Sequence, residues 1–259
     1  MPMSLARDQR AVYPSLKGKR VLITGGGSGI GAGIVEGFVR QGCDVTFFDI
    51  VESDSEALVR SLSGAQQPPI FQRIDLTDIK AVQAAIRDMI DANGPFDVLV
   101  NNAANDDRHA IEEVTEDYWE NRFNVNLKHL FFCAQAVIPS MRAKGSGVIV
   151  NLGSISWHLG MEDLALYQTA KAAIEGLNRS FARELGADGI RSVCIVPGNV
   201  RTPRQLKWYT PEGEAEIVKA QCLKGRLVPD DIAAMALFLA SDDARLVTGH
   251  TYFVDAGWR

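Results

Sequence analysis

The chain has 259 residues, 46% of them hydrophobic, and a formal net charge of -5 with acids and bases interspersed. That is apolar material for one sizeable core, and a single α/β domain of this length is ordinary. No basic run points to nucleic acid or an anionic membrane, and no apolar stretch reaches the length of a membrane span.

Residues 1–10 are polar and charged, unlike a secretory signal, so residues 1–15 read as a flexible arm ahead of one domain over 16–259. Residues 19–24 form a predicted strand, 30–40 a helix and 44–48 a second strand. Residues 55–62 read as a helix, Pro68 and Pro69 break the chain, and 70–74 is the third strand. A helix at 78–92, with Asp78 near its start, leads to a strand at 96–101. One long helix is expected over 118–142, a strand at 147–152 and another long helix over 164–185. A strand at 190–196, helices at 211–221 and 230–240 and a strand at 251–254 complete the set. Strand and helix alternate, and the strands are β-branched and apolar. This predicts a Rossmann-type doubly wound parallel sheet of about seven strands, covered by helices on both faces. Ligands in such folds bind at the carboxyl ends of the strands, where the winding reverses.

The first strand runs into Thr24-Gly25-Gly26-Gly27-Ser28-Gly29-Ile30-Gly31, which opens a helix. Small residues let backbone approach a pyrophosphate, and the helix start offers free N–H groups. The second strand ends at Asp49, about 20 residues on, where a carboxylate accepts hydrogen bonds from both hydroxyls of a ribose diol. It also repels a 2′-phosphate, which favours NAD and leaves NADP, helped by Arg40 or Arg73, as the weaker alternative. Tyr167 and Lys171 are four residues apart, on one helix face. A phenol ionises near pH ~10, and a fixed ammonium beside the phenolate lowers that value.

The four cysteines, Cys43, Cys133, Cys194 and Cys222, are scattered, which reads as buried reduced thiols in a cytoplasmic protein. The four histidines show no metal-binding spacing, so no catalytic metal is expected.

From about Leu16 to its end the chain resembles the short-chain dehydrogenase/reductases. The residues that carry the likeness are Thr24–Gly31, Asp75-Leu76, Asn101-Asn102-Ala103-Ala104, Asn126, Ser154, Tyr167, Lys171 and Pro197-Gly198. Ala104 departs from the glycine usual there. The resemblance implies that Tyr167 is the general base and that Lys171 depresses its pKa and holds the nicotinamide ribose. Ser154, 13 residues before Tyr167, would hydrogen-bond the reacting oxygen. Asn126 would anchor a water relay from Lys171 to solvent. Gly25, Gly27, Ser28, Gly29 and Ile30 would hold the pyrophosphate. Asp75 and Leu76 would meet the adenine, Asn102 and Ala103 the adenine ribose, and Val200 and Thr202, after Pro197 and Gly198, the carboxamide. Ser154 lacks a nucleophile elbow, so a serine hydrolase is excluded.

The substrate stretches are polar, with Asn105, Asp106, Ser154, Ser156, His158, Tyr167, Gln168, Asn199 and Arg204, and aromatic at Trp157 and Trp208. A steroid or acyl-chain site would be mainly apolar. Several stretches, among them Asn105-Asp106-Asp107-Arg108-His109 and Gly153–Gly160, resemble the bacterial NAD-dependent aldose 1-dehydrogenases, which act on D-xylose, L-arabinose or D-galactose. That likeness implies oxidation of an anomeric carbon to an aldonolactone. A ketoreductase or alcohol dehydrogenase for another polar substrate, or a non-catalytic NAD-sensing protein, is the alternative. The family also implies a homotetramer, built on a second apolar face at Phe131, Phe132, Val137, Ala173, Leu177 and Phe181. The Trp258-Arg259 end would reach a neighbouring subunit.

Overall fold

The computed structural model describes residues 10–207 and 209–258. Seven parallel strands make one sheet: β1 (Arg20–Thr24), β2 (Asp44–Asp49), β3 (Ile70–Arg73), β4 (Val98–Asn101), β5 (Gly147–Leu152), β6 (Ile190–Pro197) and β7 (Thr251–Val254). Their order is β3-β2-β1-β4-β5-β6-β7. Winding runs outward from β1 in one direction and from β4 in the other, so a crevice opens between these two strands at their carboxyl ends.

The helices are α1 (Gly29–Arg40), α2 (Glu52–Ser61), α3 (Ile79–Asn93), α4 (Glu116–Phe123), α5 (His129–Lys144), α6 (Ser156–Leu159), α7 (Ala165–Leu185), α8 (Pro211–Ala220) and α9 (Pro229–Ala240). The pleat sorts strand side chains to two faces with period two. Val21 and Ile23, Val98 and Val100, and Val148 and Val150 join one core with Ile34 and Phe38 of α1 and Ala233 and Leu237 of α9. Leu22, Leu99 and Ile149, from the same strands, join the opposite core with Val82 and Ile86 of α3, Val137 of α5 and Phe181 of α7. Helices α1 and α9 meet closely at Gly33, where a Cβ would lie 2.6 Å from Pro229 Cβ.

Three expectations need correction. The long helix over 118–142 is two helices joined by a π-helical turn, Asn124–Lys128. Thr115 caps the first of them, accepting from the Tyr118 N–H at 3.2 Å. Within the turn the Asn126 side chain is buried and points to another loop. The extra residue of a π turn is what reorients it. Second, residues 10–15 are docked, while residues 1–9 of the expected arm lie outside the described residues. Arg10 donates to the Asp230 carbonyl at 2.8 Å, Tyr13 N–H donates to Gln41, and Pro14–Leu16 forms a 3-10 turn. Third, Val137 and Phe181 face inward, into the core. Phe131, Phe132, Ala173 and Leu177 do line an outward apolar groove between α5 and α7. Cys43, Cys133 and Cys194 are buried and free, whereas Cys222 is exposed. Among the described residues, no helix is long and apolar enough to cross a membrane.

Candidate active site

A cleft of about 630 Å³ lies over the carboxyl ends of the strands. Its floor begins at the turn between β1 and α1. Gly25 has φ +66° and Gly29 φ +56°, values that favour glycine. Gly31 cannot carry a side chain: a Cβ there would lie 1.8 Å from the Gly25 carbonyl oxygen. Gly31→Ala should therefore cost about 2–3 kcal/mol, lowering Tm by roughly 5–10 °C in a thermal melt. An unchanged Tm would show that the turn can open to admit a methyl group.

Helix α1 opens with no side-chain cap on Ser28 and no acidic residue in its first turn. Its first N–H groups thus face the cleft without a competing anion. Asn102 ties this turn to β4: its amide donates to the Thr24 and Gly25 carbonyls at 3.0 and 2.8 Å. The Thr24 hydroxyl accepts from the Asn102 and Ala103 N–H groups. At the end of β2, Asp49 accepts from Gly27 N–H at 2.9 Å on one oxygen and Val51 N–H at 3.0 Å on the other. A carboxylate has about four lone-pair sites, so acceptor capacity remains for a diol. Asp75 is organised by Thr77, whose N–H and hydroxyl both donate to it. Ala104 lines the cleft at a φ that suits alanine, since it is not among the positive-φ residues.

Of the predicted cofactor residues, Gly25, Ser28, Gly29, Ile30, Asp49, Asp75, Leu76, Asn102, Ala103, Pro197, Gly198, Val200 and Thr202 line the cleft together with Tyr167 and Lys171. Gly27 stands behind the lining, its N–H turned to Asp49. These features fit a dinucleotide: an open helix start for a diphosphate and a carboxylate with spare acceptors for a ribose.

At the other end Ser154, Tyr167 and Lys171 converge. Ser154 follows β5 and accepts from the Ser156 N–H at 3.1 Å, while its hydroxyl donates to Ser156 Oγ at 2.9 Å. Lys171 is only 2% exposed; its ammonium donates to the Leu152 carbonyl at 2.7 Å and lies over the Tyr167 ring, 5.6 Å from the centroid. Burial pushes the Lys171 pKa down to about 8. Tyr167 keeps some surface open to the cleft, yet burial pushes its pKa up, as does the charge of Asp106. A hydrogen bond with Ser154 and the charge of Arg204 pull it down. Lys171 is not among these influences on the phenol, and its ammonium is engaged by the Leu152 carbonyl. Asn126 is fully buried. Its amide oxygen accepts from Asn105 N–H at 2.8 Å and its amide nitrogen donates to Asn105 O at 3.0 Å. Its side chain thus braces the loop after β4.

The substrate end holds Asn105, Asp106, Ser156, Asn199 and Arg204. Arg204 donates to Asp106 at 2.9 Å, Asp107 at 2.7 Å and Asn105 at 3.1 Å. Gln205 donates to Asp106 at 2.9 Å and accepts from Tyr209, which in turn accepts from Asn199. A polar strap therefore crosses the mouth of the cleft.

Two predicted residues are not brought there. His158 is turned away on the short α6, with Nε2 2.9 Å from Glu175, which also takes the Trp157 indole N–H. The turn of helix that buries Ser156 puts His158 on its outer side. Gln168, though next to Tyr167, donates to the Met161 carbonyl and is absent from the lining. Trp208 lies outside the described residues. Tyr209, Arg122, Met161 and Trp258 are lining residues the sequence reasoning did not assign to the cleft, and Gln205 falls within the stretch 201–208 expected there. Trp258 was expected at a neighbouring subunit, and Arg259 lies outside the described residues. The Asp255 carboxylate accepts from Gly257 N–H, and the turn at Ala256, φ +56°, brings Trp258 back over its own cleft. His129, fully buried beside the π turn, is held neutral: burial and the Lys171 charge push its pKa down to about 3. Among the described residues, no group of three or more His, Cys, Asp or Glu could hold a metal ion.

A cleft whose one end fits a dinucleotide and whose other presents a phenol and a hydroxyl has the layout of a nucleotide-dependent oxidoreductase. A family model described as enoyl-(acyl carrier protein) reductase matches residues 25–259. The D-xylose 1-dehydrogenase of Caulobacter vibrioides (strain NA1000 / CB15N) is 62% identical over 249 residues, covering 96% of this chain and 99% of that protein. A probable galactose dehydrogenase of Rhizobium meliloti (strain 1021) is 47% identical over 247 residues, 95% of this chain and 96% of that protein. A 3-oxoacyl-acyl-carrier-protein reductase of Chlamydia pneumoniae is 34% identical over 243 residues, 94% of this chain and 98% of that protein. The chain belongs to the short-chain dehydrogenase/reductase family, whose members use nicotinamide dinucleotides.

Proposed function

We propose that the protein is an NAD-dependent aldose 1-dehydrogenase that oxidises the anomeric carbon of a pyranose, D-xylose or L-arabinose, to the aldonolactone. One observation carries this reading: the cleft beyond Tyr167 is walled by Asn105, Asp106, Ser156, Asn199 and Arg204, with Tyr209 and Trp258 as its aromatic surfaces. A polyhydroxylated ring needs many hydrogen-bond partners and a face to lie against, and an acyl chain needs neither. The sugar substrates named for two relatives, xylose and galactose, support the same class.

The bound nicotinamide supplies the hydride acceptor. Ser154 donates a hydrogen bond to the anomeric oxygen, and Tyr167, as phenolate, takes its proton. Lys171 steadies that phenolate. Its ammonium stands 5.6 Å from the centroid of the phenol ring. Lys171, at about 8, stays charged at neutral pH. Asn126 holds Asn105 in place and anchors a water relay from Lys171 to solvent. Asp49 takes the adenine ribose diol and disfavours a 2′-phosphate. Asp49→Ser should cut the NAD:NADP preference in kcat/KM by about tenfold or more, which steady-state kinetics with both cofactors reads directly. An unchanged ratio would remove Asp49 from cofactor choice.

The chain acts as one catalytic domain over 16–259, in the cytoplasm, as its free cysteines support. The α5/α7 groove supports a homotetramer, and a monomer in sedimentation would contradict it. Steady-state assays of NADH formation with D-xylose, L-arabinose, D-galactose and L-fucose test the main reading. Turnover of at least one is expected; turnover of none, with bound NAD, would favour a sensor or a ketoreductase for another polar substrate.

A further inference from the structure

Helix α7 carries both Tyr167 and Lys171, yet it begins without a cap of its own. Leu164 stands at its N-cap position and makes no side-chain cap hydrogen bond. The first turn of a helix leaves several N–H groups without intrahelical partners. One of them, the N–H of Leu166, is accepted by Nε2 of His109 at 3.3 Å, from a residue 57 positions earlier. Leu166 is the residue immediately before Tyr167.

His109 is held from three further sides. Its Nδ1 lies 3.4 Å from the Asp107 carbonyl, its ring meets Tyr118 edge-on at 5.4 Å between centroids, and its backbone N–H donates to Asp163 O at 3.0 Å. Asp163 has φ +60°, an uncommon conformation for a non-glycine residue. Beside it, Arg108 donates to Glu162 O at 2.9 Å. The same loop carries Asn105 and Asp106, which line the substrate end of the cleft. Because Nε2 accepts from Leu166, the ring's proton sits on Nδ1, facing the Asp107 carbonyl.

We propose that His109 is a positioning residue that caps the catalytic helix from the substrate loop and so sets the Tyr167 phenol against the wall that holds the sugar. This rests on Tyr167 being the base. A neutral imidazole is required. Protonation would give Nε2 a hydrogen that faces the Leu166 N–H, and would set a cation at a helix start, where the dipole disfavours it. The charged and titratable groups around the ring are Asp107 and Arg108 on its own loop, Tyr118 and Arg122 on α4, and Glu162 and Asp163 ahead of α7. Arg122 pairs with Asp107 at 3.1 Å.

The test compares His109→Phe with His109→Gln, whose amide oxygen can still accept from Leu166. Tyr167→Phe is measured alongside, with kcat and KM for D-xylose, the NAD dissociation constant and Tm for each. His109→Phe is expected to lower kcat about tenfold or more with NAD binding unchanged, since small misplacements of reacting groups are expensive. His109→Gln should recover most of kcat. Equal losses in the Phe and Gln variants, no loss in either, or a loss that only tracks Tm and NAD binding would overturn the proposal. If the His109 series is flat while Tyr167→Phe is inactive, only the positioning role fails. If Tyr167→Phe stays active, the base assignment falls and the inference falls with it.

Discussion

Tyr167→Phe is expected to lower kcat by about 10³-fold, the range a positioned general base contributes, while the NAD dissociation constant moves less than about threefold. The loss arises because the phenol is the group at the cleft that Ser154 hydrogen-bonds and that can accept a proton from a substrate hydroxyl. The ring itself remains in phenylalanine, so the packing of α7 against the sheet persists and Tm should stay within a few degrees. Steady-state kinetics and NAD titration by fluorescence check this. More than a few per cent of residual activity would assign the base elsewhere.

The second large effect combines activity and stability at Lys171. Lys171→Met should reduce kcat at pH 7 by about 100-fold, the size of loss that follows when a group positioning the reacting atoms is removed. It should also raise Tm. The lysine is nearly fully buried and burial holds its pKa at about 8, below the 10.5 of an ordinary lysine. The folded state therefore penalises the charged amine. The sign follows from proton counts. Below pH 8 both folded and unfolded chains carry the proton, and the full penalty of about 3 kcal/mol applies. Between pH 8 and 10.5 the folded chain has lost the proton and the unfolded chain keeps it, so wild-type stability rises with pH. Methionine removes the penalty but leaves the Leu152 carbonyl without its donor, which offsets about 1–2 kcal/mol. The net expectation is a Tm a few degrees above wild type at pH 7, with the gap narrowing towards pH 10. A variant less stable than wild type at both values would mean that the ammonium is a net structural asset.

Much of the fold was legible in the chain. Alternating runs such as Val21-Leu22-Ile23 and Val98-Leu99-Val100 have the period that sends neighbours to opposite cores, and the structure divides them that way. The glycine-rich turn was readable because it stands between a strand and a helix, which is the context that gives such a turn meaning. Tyr167 and Lys171 stand at helical spacing, but that spacing is common, and their expected roles came from the family resemblance of the whole set of motifs. What failed depended on partners distant in sequence. Residues 124–128 have ordinary helical composition; the π turn is visible only once Asn126 is seen bonded to Asn105. The stretch after β5 offered Ser154, Ser156 and His158 alike as substrate contacts. Its four-residue helix instead sends Ser156 inward and His158 out to Glu175. The strap through Arg204, Gln205 and Tyr209 joins segments nearly 100 residues apart, and no local pattern announces it.

The route of the hydride is the central claim, and label transfer tests it without depending on which step is slow. The enzyme would be incubated with NAD and D-xylose deuterated at C1, and the reduced cofactor analysed by mass spectrometry. Deuterium on the nicotinamide, with xylonolactone as the sugar product, is the predicted result. Unlabelled reduced cofactor, or none formed from this or any other free aldose, would contradict it.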